Sequence, residues 1–414
     1  MHYWNRIRPA WLVPVVVILF GCGNGDPAAP EPEVEQRSPP TVTTAAITAV
    51  TNSSATGGGE ITSDGGAWVS PRGVVWSTKA NPTLDDHEGK TADGGGAGSF
   101  TSTLSDLEAA TTYYVRAYAT NSQGTAYGSQ VEFTTDLSRW TRRADYGGGA
   151  GSSRVGLAIG EKGYVGSGGR FWEYDPVADA WTQRADLEDG VGTARFSVGG
   201  KGYFGDLWEY DPQTNAWTQK AEFPRPGRRM VPVWLSIGDK GYVVTGSDYP
   251  TYFKDLWEYD PVTDSWTQRA DFPGPGRDRA VGFSAGGKGY VATGTTQDHF
   301  HLNDLWEYDP ANDTWTRKAD FGGMGRYLAV GLSIGGKGYI GTGLVYGLGA
   351  LADFWEYDPG TDSWSRLEDF GGGERRGAFA FSIGGKGYIG TGGSFDPITG
   401  ENIYHSDFWE YDPG

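Results

Sequence analysis

Apolar and polar residues alternate in short runs along most of the chain, and glycine-rich turns separate the runs. Alternation with a period of two is typical of strands that bury one face, and turns of this kind bound strands more often than helices. The pattern therefore predicts an all-β protein. The clearest run places four residues on one face: Tyr113, Val115, Ala117 and Ala119.

Residues 41–135 form the first predicted domain. Leu107, Thr111 and Tyr113 fit the pattern Leu-x-Pro-x-Thr-x-Tyr, with Ala109 in place of the proline. The segment resembles a fibronectin type III domain. This resemblance implies a β-sandwich in which Tyr113 is the tyrosine-corner residue. We expect a rigid spacer, with a binding module as the alternative.

Six copies of a Trp-Glu-Tyr-Asp-Pro motif dominate the rest of the chain, from residue 136 to residue 414. A Trp-Thr or Trp-Ser segment recurs beside each copy, and the later segments are 49 residues apart, as at Trp217 and Trp266. A period near 50 residues is typical of kelch repeats. The chain resembles kelch proteins and the central domain of galactose oxidase over about two thirds of its length. The motif copies begin at Trp172, Trp208, Trp257, Trp306, Trp355 and Trp409.

Each repeat reads as four antiparallel strands, A to D. Gly335-Gly336 suits a tight A–B turn, since both glycines tolerate positive φ, and Asp358-Pro359 opens the C–D turn. These short turns share one face of the domain, here the turn face. The B–C and D–A connections share the other, here the loop face. The copies differ most in four B–C loops, where we expect any binding: Gly246–Lys254, Gly294–Asn303, Gly343–Ala352 and Gly392–Ser406.

The order of strands predicts how the repeat domain closes. The last unit reaches Gly414 without a D strand, and a D-like segment at Trp140 precedes the first A strand. We expect that N-terminal outer strand to complete a six-bladed kelch-type propeller. The alternative is that further blades follow Gly414. The second unit is short, and we expect its B–C loop before Trp208 to be nearly absent.

The N-terminus reads as a targeting segment. Two arginines precede an apolar run over residues 10–20, which is typical of a signal peptide spanning residues 1–21. Leu19–Cys22 resembles a bacterial lipobox, which implies cleavage before Cys22 and lipidation of that residue. The alternative is a chance cysteine after an ordinary signal peptide. Residues 22–40 lack apolar residues to bury, and we expect a disordered tether there.

The predicted location follows from this leader. We expect secretion across the inner membrane and a lipid anchor that attaches the protein to the bacterial outer membrane or cell surface. The net charge of −18 disfavours nucleic acid as a partner.

Two groups of residues are candidates for ligand binding. Arginines in the D–A loops would hold a carboxylate or an acidic peptide, with internal pairing to nearby acids as the alternative. Aromatic residues in the B–C loops suit a protein or a glycan. The arginines are Arg228, Arg277, Arg326 and Arg375, and the aromatic residues are Tyr249, Tyr252, Phe300, Tyr346 and Tyr404.

The sequence gives little support for catalysis or for metal binding. His299 and His301 are weak metal candidates without a third ligand nearby in sequence, so we expect no cofactor. The resemblance to galactose oxidase would imply a copper site with a cysteine cross-linked to tyrosine. Because Cys22 is the chain's one cysteine and belongs to the lipobox, composition excludes that activity.

The leading interpretation is a monomeric, non-enzymatic lipoprotein that binds a protein or glycan. One alternative is a carbohydrate-active enzyme, similar to a sialic acid epimerase, that uses a central arginine-lined pocket. The other is a purely structural envelope component.

Overall fold

The computed structural model describes residues 36–187, 194–224, 229–396 and 399–414. Every regular element in this part of the chain is a strand, which confirms the all-β prediction. No helix among these residues is long and apolar enough to cross a membrane. The predicted signal peptide and Cys22 lie outside the described residues. Contacts divide the chain into two units: one contains Ser54–Asp106 and Thr112–Thr134 with the residues up to Val50, and the other contains Thr51–Ser53, Leu107–Thr111 and Thr135–Gly414.

The first unit contains two antiparallel sheets that contact each other. One has the strand order β1-β2-β5, and the other has β4-β3-β6-β7, with β8 also paired to β6. The strands are β1 (Thr41–Thr44), β2 (Ala55–Ser63), β3 (Arg72–Ser77), β4 (Gly89–Lys90), β5 (Gly98–Leu104), β6 (Thr112–Asn121), β7 (Gly124–Tyr127) and β8 (Val131–Thr134).

Strand β6 has the predicted buried face and one departure from it. The predicted apolar set from Tyr113 to Ala119 is buried. Tyr118 lies on the opposite face of the strand, but it is also buried, and its hydroxyl donates a hydrogen bond to the Thr91 carbonyl at 2.7 Å. Neighbouring chain therefore covers both faces of β6 at this point, which a period-two pattern alone does not reveal.

The second unit begins with β9 (Trp140–Arg143) and continues with repeated four-stranded sheets, here numbered I to VI. Sheet I contains β10 (Val155–Ile159), β11 (Lys162–Ser167), β12 (Arg170–Asp175) and β13 (Ala180–Gln183). Sheet II contains β14 (Ala194–Val198), β15 (Lys201–Gly205), β16 (Trp208–Asp211) and β17 (Ala216–Gln219). Sheet III contains β18 (Val233–Ile237), β19 (Lys240–Val244), β22 (Leu256–Asp260) and β23 (Ser265–Arg269), and its B–C loop holds β20 (Ser247–Asp248) and β21 (Thr251–Tyr252).

The remaining sheets repeat this order. Sheet IV contains β24 (Val281–Ala285), β25 (Lys288–Ala292), β26 (Leu305–Asp309) and β27 (Thr314–Lys318). Sheet V contains β28 (Val330–Ile334), β29 (Lys337–Gly341), β32 (Phe354–Asp358) and β33 (Ser363–Arg366), with β30 (Leu344–Val345) and β31 (Gly349–Ala350) in its loop. Sheet VI contains β34 (Phe379–Ile383), β35 (Lys386–Gly390) and β38 (Phe408–Tyr411), with β36 (Gly393–Phe395) and β37 (Asn402–Tyr404) in its loop.

The fourth strand of sheet VI comes from the beginning of the unit. Strand β9 pairs antiparallel with β38, so that Trp140 lies opposite Tyr411 and Arg143 opposite Phe408. The A strands also contact one another in order, from β10 through β14, β18, β24 and β28 to β34, and β34 contacts β10 again. The segment at Trp140 thus pairs where the strand order predicts.

The repeated motif supplies internal packing in each sheet. In sheet IV, Tyr308 is fully buried, and its ring lies 5.8 Å from that of Tyr242 in sheet III, measured between centroids. Glu307 is also buried, and it accepts a hydrogen bond of 2.7 Å from the Tyr290 hydroxyl. Asp309 Oδ1 accepts the backbone N–H of residue 311 at 3.0 Å and so caps the C–D turn. Each polar group of this motif copy is therefore used inside the domain.

Candidate functional site

The loop face is uneven. Sheets III to VI have long B–C connections, whereas sheets I and II have tight hairpins. The predicted short loop of sheet II is confirmed, since Phe204 pairs directly with Trp208. Sheet I has the same feature through the turn Gly168-Gly169, which the sequence analysis overlooked although two adjacent glycines signal it. The connections cover 168–169, 206–207, 245–255, 293–304, 342–353 and 391–407 in order from sheet I to sheet VI.

Backbone hydrogen bonds tie each long loop to the next sheet. The Gly294 N–H donates to the Arg326 carbonyl at 2.8 Å, and the Gly392 N–H donates to the Gly151 carbonyl at 2.7 Å. Equivalent bonds of 2.7 Å join Gly246 to Arg277 and Gly343 to Arg375. Backbone bonds of this kind restrict loop motion, so each long loop is held against the connection that precedes the next sheet.

Three of the predicted ligand-binding arginines lie beneath these loops. In sheet IV, Arg277 Nη1 and Nη2 donate to the two carboxylate oxygens of Asp304 at 2.6 and 2.7 Å. Arg277 Nη1 also donates to the Thr293 carbonyl at 3.0 Å, and the guanidinium lies over the Phe272 ring, 4.9 Å from its centroid. The same arrangement recurs in sheets V and VI: Arg326 with Asp353 and Phe321, and Arg375 with Asp407 and Phe370.

This geometry corrects the prediction that these arginines hold a ligand. Arg277, Arg326 and Arg375 are at most 1% exposed, and internal acceptors bind their terminal nitrogens. A guanidinium buried in this way has no free edge for a carboxylate. Internal pairing, the alternative that the sequence left open, describes all three. Arg228 lies outside the described residues, and its neighbour Arg229 pairs with Asp255 at 2.9 Å.

The partner aspartates remain ionised because they are well hydrogen-bonded. Burial acts to raise the pKa of Asp304, but hydrogen bonds from Arg277 and from the Trp306 indole N–H, at 2.8 Å, outweigh it and hold that pKa below its usual value. The sequence contains a signal for this arginine–aspartate pair. An arginine four residues before strand A and an aspartate two residues before the motif tryptophan occur together in the four repeats with long loops.

Aromatic side chains are exposed on the long loops. The exposed fractions are 76% for Tyr249, 67% for Phe300, 86% for Tyr346 and 50% for Tyr404. One such side chain therefore projects from each of the four loops. Tyr252, also predicted as a binding residue, is only partly exposed. Burial and the charge of Asp278 raise the pKa of Tyr252.

The loop histidines have protein contacts. His301 Nδ1 accepts the Tyr346 backbone N–H at 3.5 Å, and its ring lies 4.8 Å from the Tyr327 ring. Burial, followed by the neighbouring His299, lowers the pKa of His301. Within the described residues, no group of three or more His, Cys, Asp or Glu side chains is arranged to hold a metal ion. The weak metal prediction for His299 and His301 thus gains no third ligand in this part of the chain.

The A strands enclose a cavity of about 340 Å³, here the central channel. Their fourth residues form a layer of serines around it, in which the Ser333 hydroxyl accepts the Ser284 N–H at 2.9 Å. Their second residues form another layer, small except for Arg195 and Trp234. The layer of second residues contains Gly156, Arg195, Trp234, Gly282, Gly331 and Ala380, and the layer of fourth residues contains Ala158, Ser197, Ser236, Ser284, Ser333 and Ser382.

Comparisons with known proteins agree with this architecture. Residues 192–325 match the Kelch-repeats domain of KLHDC2, KLHL20 and DRC7. This match, together with the repeated four-stranded sheets, supports a kelch-type β-propeller fold for the second unit. The solved structure of YjhT has a TM-score of 0.54 to the chain and covers 64% of it, and the similarity spans 95% of YjhT at 15% sequence identity. At this identity the similarity to YjhT shows the fold alone. No curated protein sequence matches the chain significantly.

Proposed function

We propose that this protein is a lipid-anchored binding protein of the bacterial envelope. Its kelch propeller, closed as six blades by β9, would bind a protein or glycan through the loop face of sheets III to VI. The observation that carries the proposal is the set of exposed aromatic tips, one on each long loop. Tyr249, Phe300 and Tyr346 are each at least two thirds exposed.

Exposed aromatic side chains on a fixed scaffold suit recognition. Tyrosine and phenylalanine supply large contact areas at a low cost in side-chain entropy, and tyrosine also offers a hydroxyl. The tips project from loops that backbone hydrogen bonds hold to the neighbouring connections, so less ordering is needed on binding. A buried arginine–aspartate pair lies beneath each loop, as Arg277 and Asp304 do in sheet IV, and adds to this preorganisation.

The rest of the proposed organisation supports presentation at a surface. Lipidation of Cys22 would attach the chain to a membrane, and the tether over residues 22–40 would give it reach. The first unit, which we interpret as fibronectin type III-like, would act as a spacer. The protein would be a monomer, since one loop face provides the whole binding surface.

The enzyme alternative would place chemistry in the central channel. Arg195 lies there, but the channel lining contains no carboxylate among the described residues. Most glycoside hydrolases use a pair of carboxylic acid side chains. An enzyme of that class would therefore need catalytic groups from outside this lining.

Binding assays with loop-face variants test the proposal. The mature chain with Cys22→Ala, which prevents lipidation, would be screened on a glycan array and against intact cells. We expect a specific signal that is lost in the triple variant Tyr249→Ser, Phe300→Ser and Tyr346→Ser. The matched control is Val177→Ser with Val262→Ser, which changes two apolar side chains exposed on the turn face, by 95% and 87%. Undiminished binding by the triple variant would refute the loop-face assignment.

A further inference from the structure

A polar pocket lies at the outer edge of sheet V. Its volume of about 570 Å³ is within the range of small-molecule sites, roughly 300–1,000 Å³. The third and fourth strands of the sheet contribute Trp355 and Arg366, and the connection that leaves sheet IV contributes Gly323 and Met324. Asp369, which follows the fourth strand, adds a carboxylate. Because the first strand of the sheet lines the central channel, this pocket is separate from the channel.

The indole of Trp355 forms a fixed wall of the pocket. Its N–H donates to Asp353 Oδ2 at 2.8 Å, and its ring lies 5.9 Å from the Phe321 ring, measured between centroids. A Cβ atom added at Gly322 would lie 2.6 Å from the indole Cζ3, so the glycine allows the chain to lie directly against the ring. These contacts fix the orientation of Trp355 and leave it partly exposed. A ligand can therefore pack on the indole without first ordering that side chain.

The polar side of the pocket has unused hydrogen-bonding capacity. Arg366 lies directly opposite Trp355 in the strand pairing, which places both side chains on one face of the sheet. Arg366 Nη2 donates to Asp369 Oδ1 at 2.8 Å, and neither side chain makes another hydrogen bond within the part of the chain that the structure describes. Both are more than half exposed, at 57% and 52%. Guanidinium donors and a carboxylate acceptor therefore remain available side by side, next to the indole.

Sheet III contains a second pocket of the same construction, with a volume of about 500 Å³. Trp257 and Gln268 line it and lie opposite each other in the strand pairing. The Trp257 indole N–H donates to Asp255 Oδ2 at 2.6 Å, and Gln268 Nε2 donates to Asp271 Oδ1 at 3.3 Å. An amide thus replaces the guanidinium, but the combination of an aromatic wall with an adjacent donor and acceptor is the same.

The polar partner of the motif tryptophan recurs in all six sheets. It is always glutamine or arginine, and an acidic residue follows three positions later. All six partners are exposed, and exposed polar pairs contribute only about 0–1 kcal/mol to folding. Stability of the fold alone therefore does not account for this choice of residue. The opposed residues are Trp172 and Gln183, Trp208 and Gln219, Trp257 and Gln268, Trp306 and Arg317, Trp355 and Arg366, and Trp409 and Arg142.

We propose that the pockets of sheets V and III bind neutral sugar rings. One face of a pyranose carries C–H groups that pack against an aromatic ring, and each hydroxyl group both donates and accepts hydrogen bonds. Trp355 would contact the C–H face, while Arg366 and Asp369 would bind two adjacent hydroxyl groups. Acidic side chains outnumber basic ones in the sheet V pocket, which disfavours an acidic sugar.

These pockets are distinct from the exposed aromatic tips of the loop face. Neither lining contains Tyr249, Phe300 or Tyr346. The proposal therefore does not depend on the proposed function, and loss of binding in the triple variant of the tips would not bear on it.

Nuclear magnetic resonance of the mature Cys22→Ala chain, with isotope-labelled tryptophan, tests the proposal. The probes are four neutral disaccharides, namely maltose, cellobiose, lactose and diacetylchitobiose, with digalacturonate as the acidic comparison. We expect at least one neutral disaccharide to shift the indole N–H signals of Trp355 and Trp257. The signal of Trp68, which is 75% exposed in the first unit, should not move. Digalacturonate should bind at least about tenfold more weakly, because like charges repel.

Three results would overturn the proposal. They are no shift at Trp355 with any of the neutral disaccharides at the limit of solubility, equal shifts at Trp355 and Trp68, and equal binding of digalacturonate. Trp355→Phe and Trp257→Phe identify the two signals by their loss.

Variants separate sugar binding from a structural role. Arg366→Ala combined with Asp369→Ala should weaken binding at Trp355 by about tenfold or more, because two hydrogen bonds to the sugar are lost. Binding at Trp257 and the melting temperature should stay as in the parent, since the removed pair is exposed. Gln268→Ala should give the reciprocal result, with weaker binding at Trp257 alone.

The control for these variants is Asp86→Asn, which changes an exposed carboxylate of the first unit and should bind as the parent does. Undiminished binding at Trp355 in the double variant would refute the assignment of Arg366 and Asp369. A clear fall in its melting temperature would instead assign the pair to the fold.

Discussion

Arg277 and Asp304 meet through two hydrogen bonds, of 2.6 and 2.7 Å, beneath the long loop of sheet IV. The arginine precedes strand A and the aspartate precedes strand C, so the pair joins the two connections that form the loop face. Asp304 also accepts the Trp306 indole N–H, which links the pair to the repeated motif. The pair therefore fixes a variable loop to an invariant part of the repeat.

Breaking this pair should destabilise the propeller. Arg277→Gln leaves the Asp304 carboxylate buried without its cation, and loss of one partner of a buried pair costs about 3–5 kcal/mol. Urea denaturation would measure the loss. The matched control is Arg317→Gln in the same sheet, whose pair with Asp320 is exposed and whose loss should cost less than about 1 kcal/mol. Similar losses in the two variants would contradict the structural role of Arg277.

The strand β9 should contribute strongly to the stability of sheet VI. Trp140 is buried and lies 4.9 Å from both Phe370 and Tyr411, measured between ring centroids. Glu368 Oε1 accepts the Ser138 hydroxyl at 2.6 Å and so fixes the start of β9. Trp140→Ala should lower the free energy of unfolding by about 3–5 kcal/mol in urea denaturation.

The control for Trp140 is a tryptophan outside the packed core. Trp68→Ala removes a side chain that is 75% exposed and should change stability by no more than about 0.5 kcal/mol. If Trp140→Ala is equally mild, β9 does not hold sheet VI together in solution.

Buried tyrosines should make the protein unfold at alkaline pH. Burial, followed by the hydrogen bond to Glu307, raises the pKa of Tyr290 well above its usual value, and burial raises the pKa of Tyr146 to about 12. A raised tyrosine pKa gives stability that is complete below the unfolded pKa of about 10 and is lost as pH rises above it. Tyrosinate absorbance should therefore increase in step with loss of the circular dichroism signal of the fold. Complete titration near pH 10 with an intact fold would contradict this.

The exposed aromatic tips should not contribute to folding. Tyr346→Ala removes a side chain that is 86% exposed. In urea denaturation, the free energy of unfolding should change by no more than about 0.5 kcal/mol. Tyr339→Ala in the same sheet removes a buried tyrosine whose hydroxyl binds Glu356 at 2.7 Å, and it should cost several-fold more. A large loss with Tyr346→Ala would indicate that this loop residue serves the fold and would weaken its assignment to binding.

Local residue patterns were sufficient to predict the strands and turns. Gly335 and Gly336 both have positive φ, of 59° and 80°, as a two-glycine turn requires. Phe204 and Trp208 pair directly, because only residues 206–207 connect the second and third strands of sheet II. These features depend on neighbours in sequence, and repetition made each one visible several times.

The site was predicted less well for a physical reason. Arg277 and Asp304 are separated by a whole hairpin, and a D–A arginine looks the same in sequence whether it faces a ligand or an acid. Arg195 lies within β14 and belongs to the channel lining, which residue spacing does not reveal.

The sequence by itself determined the all-β class, the kelch-type repeat and the loops that vary, because each of these is recorded in spacing and composition. Only the tertiary structure decided which charges are paired and that Arg195 lies in the lining of the central channel. Pairing and exposure depend on distances between segments far apart in the chain, and residue spacing does not contain them.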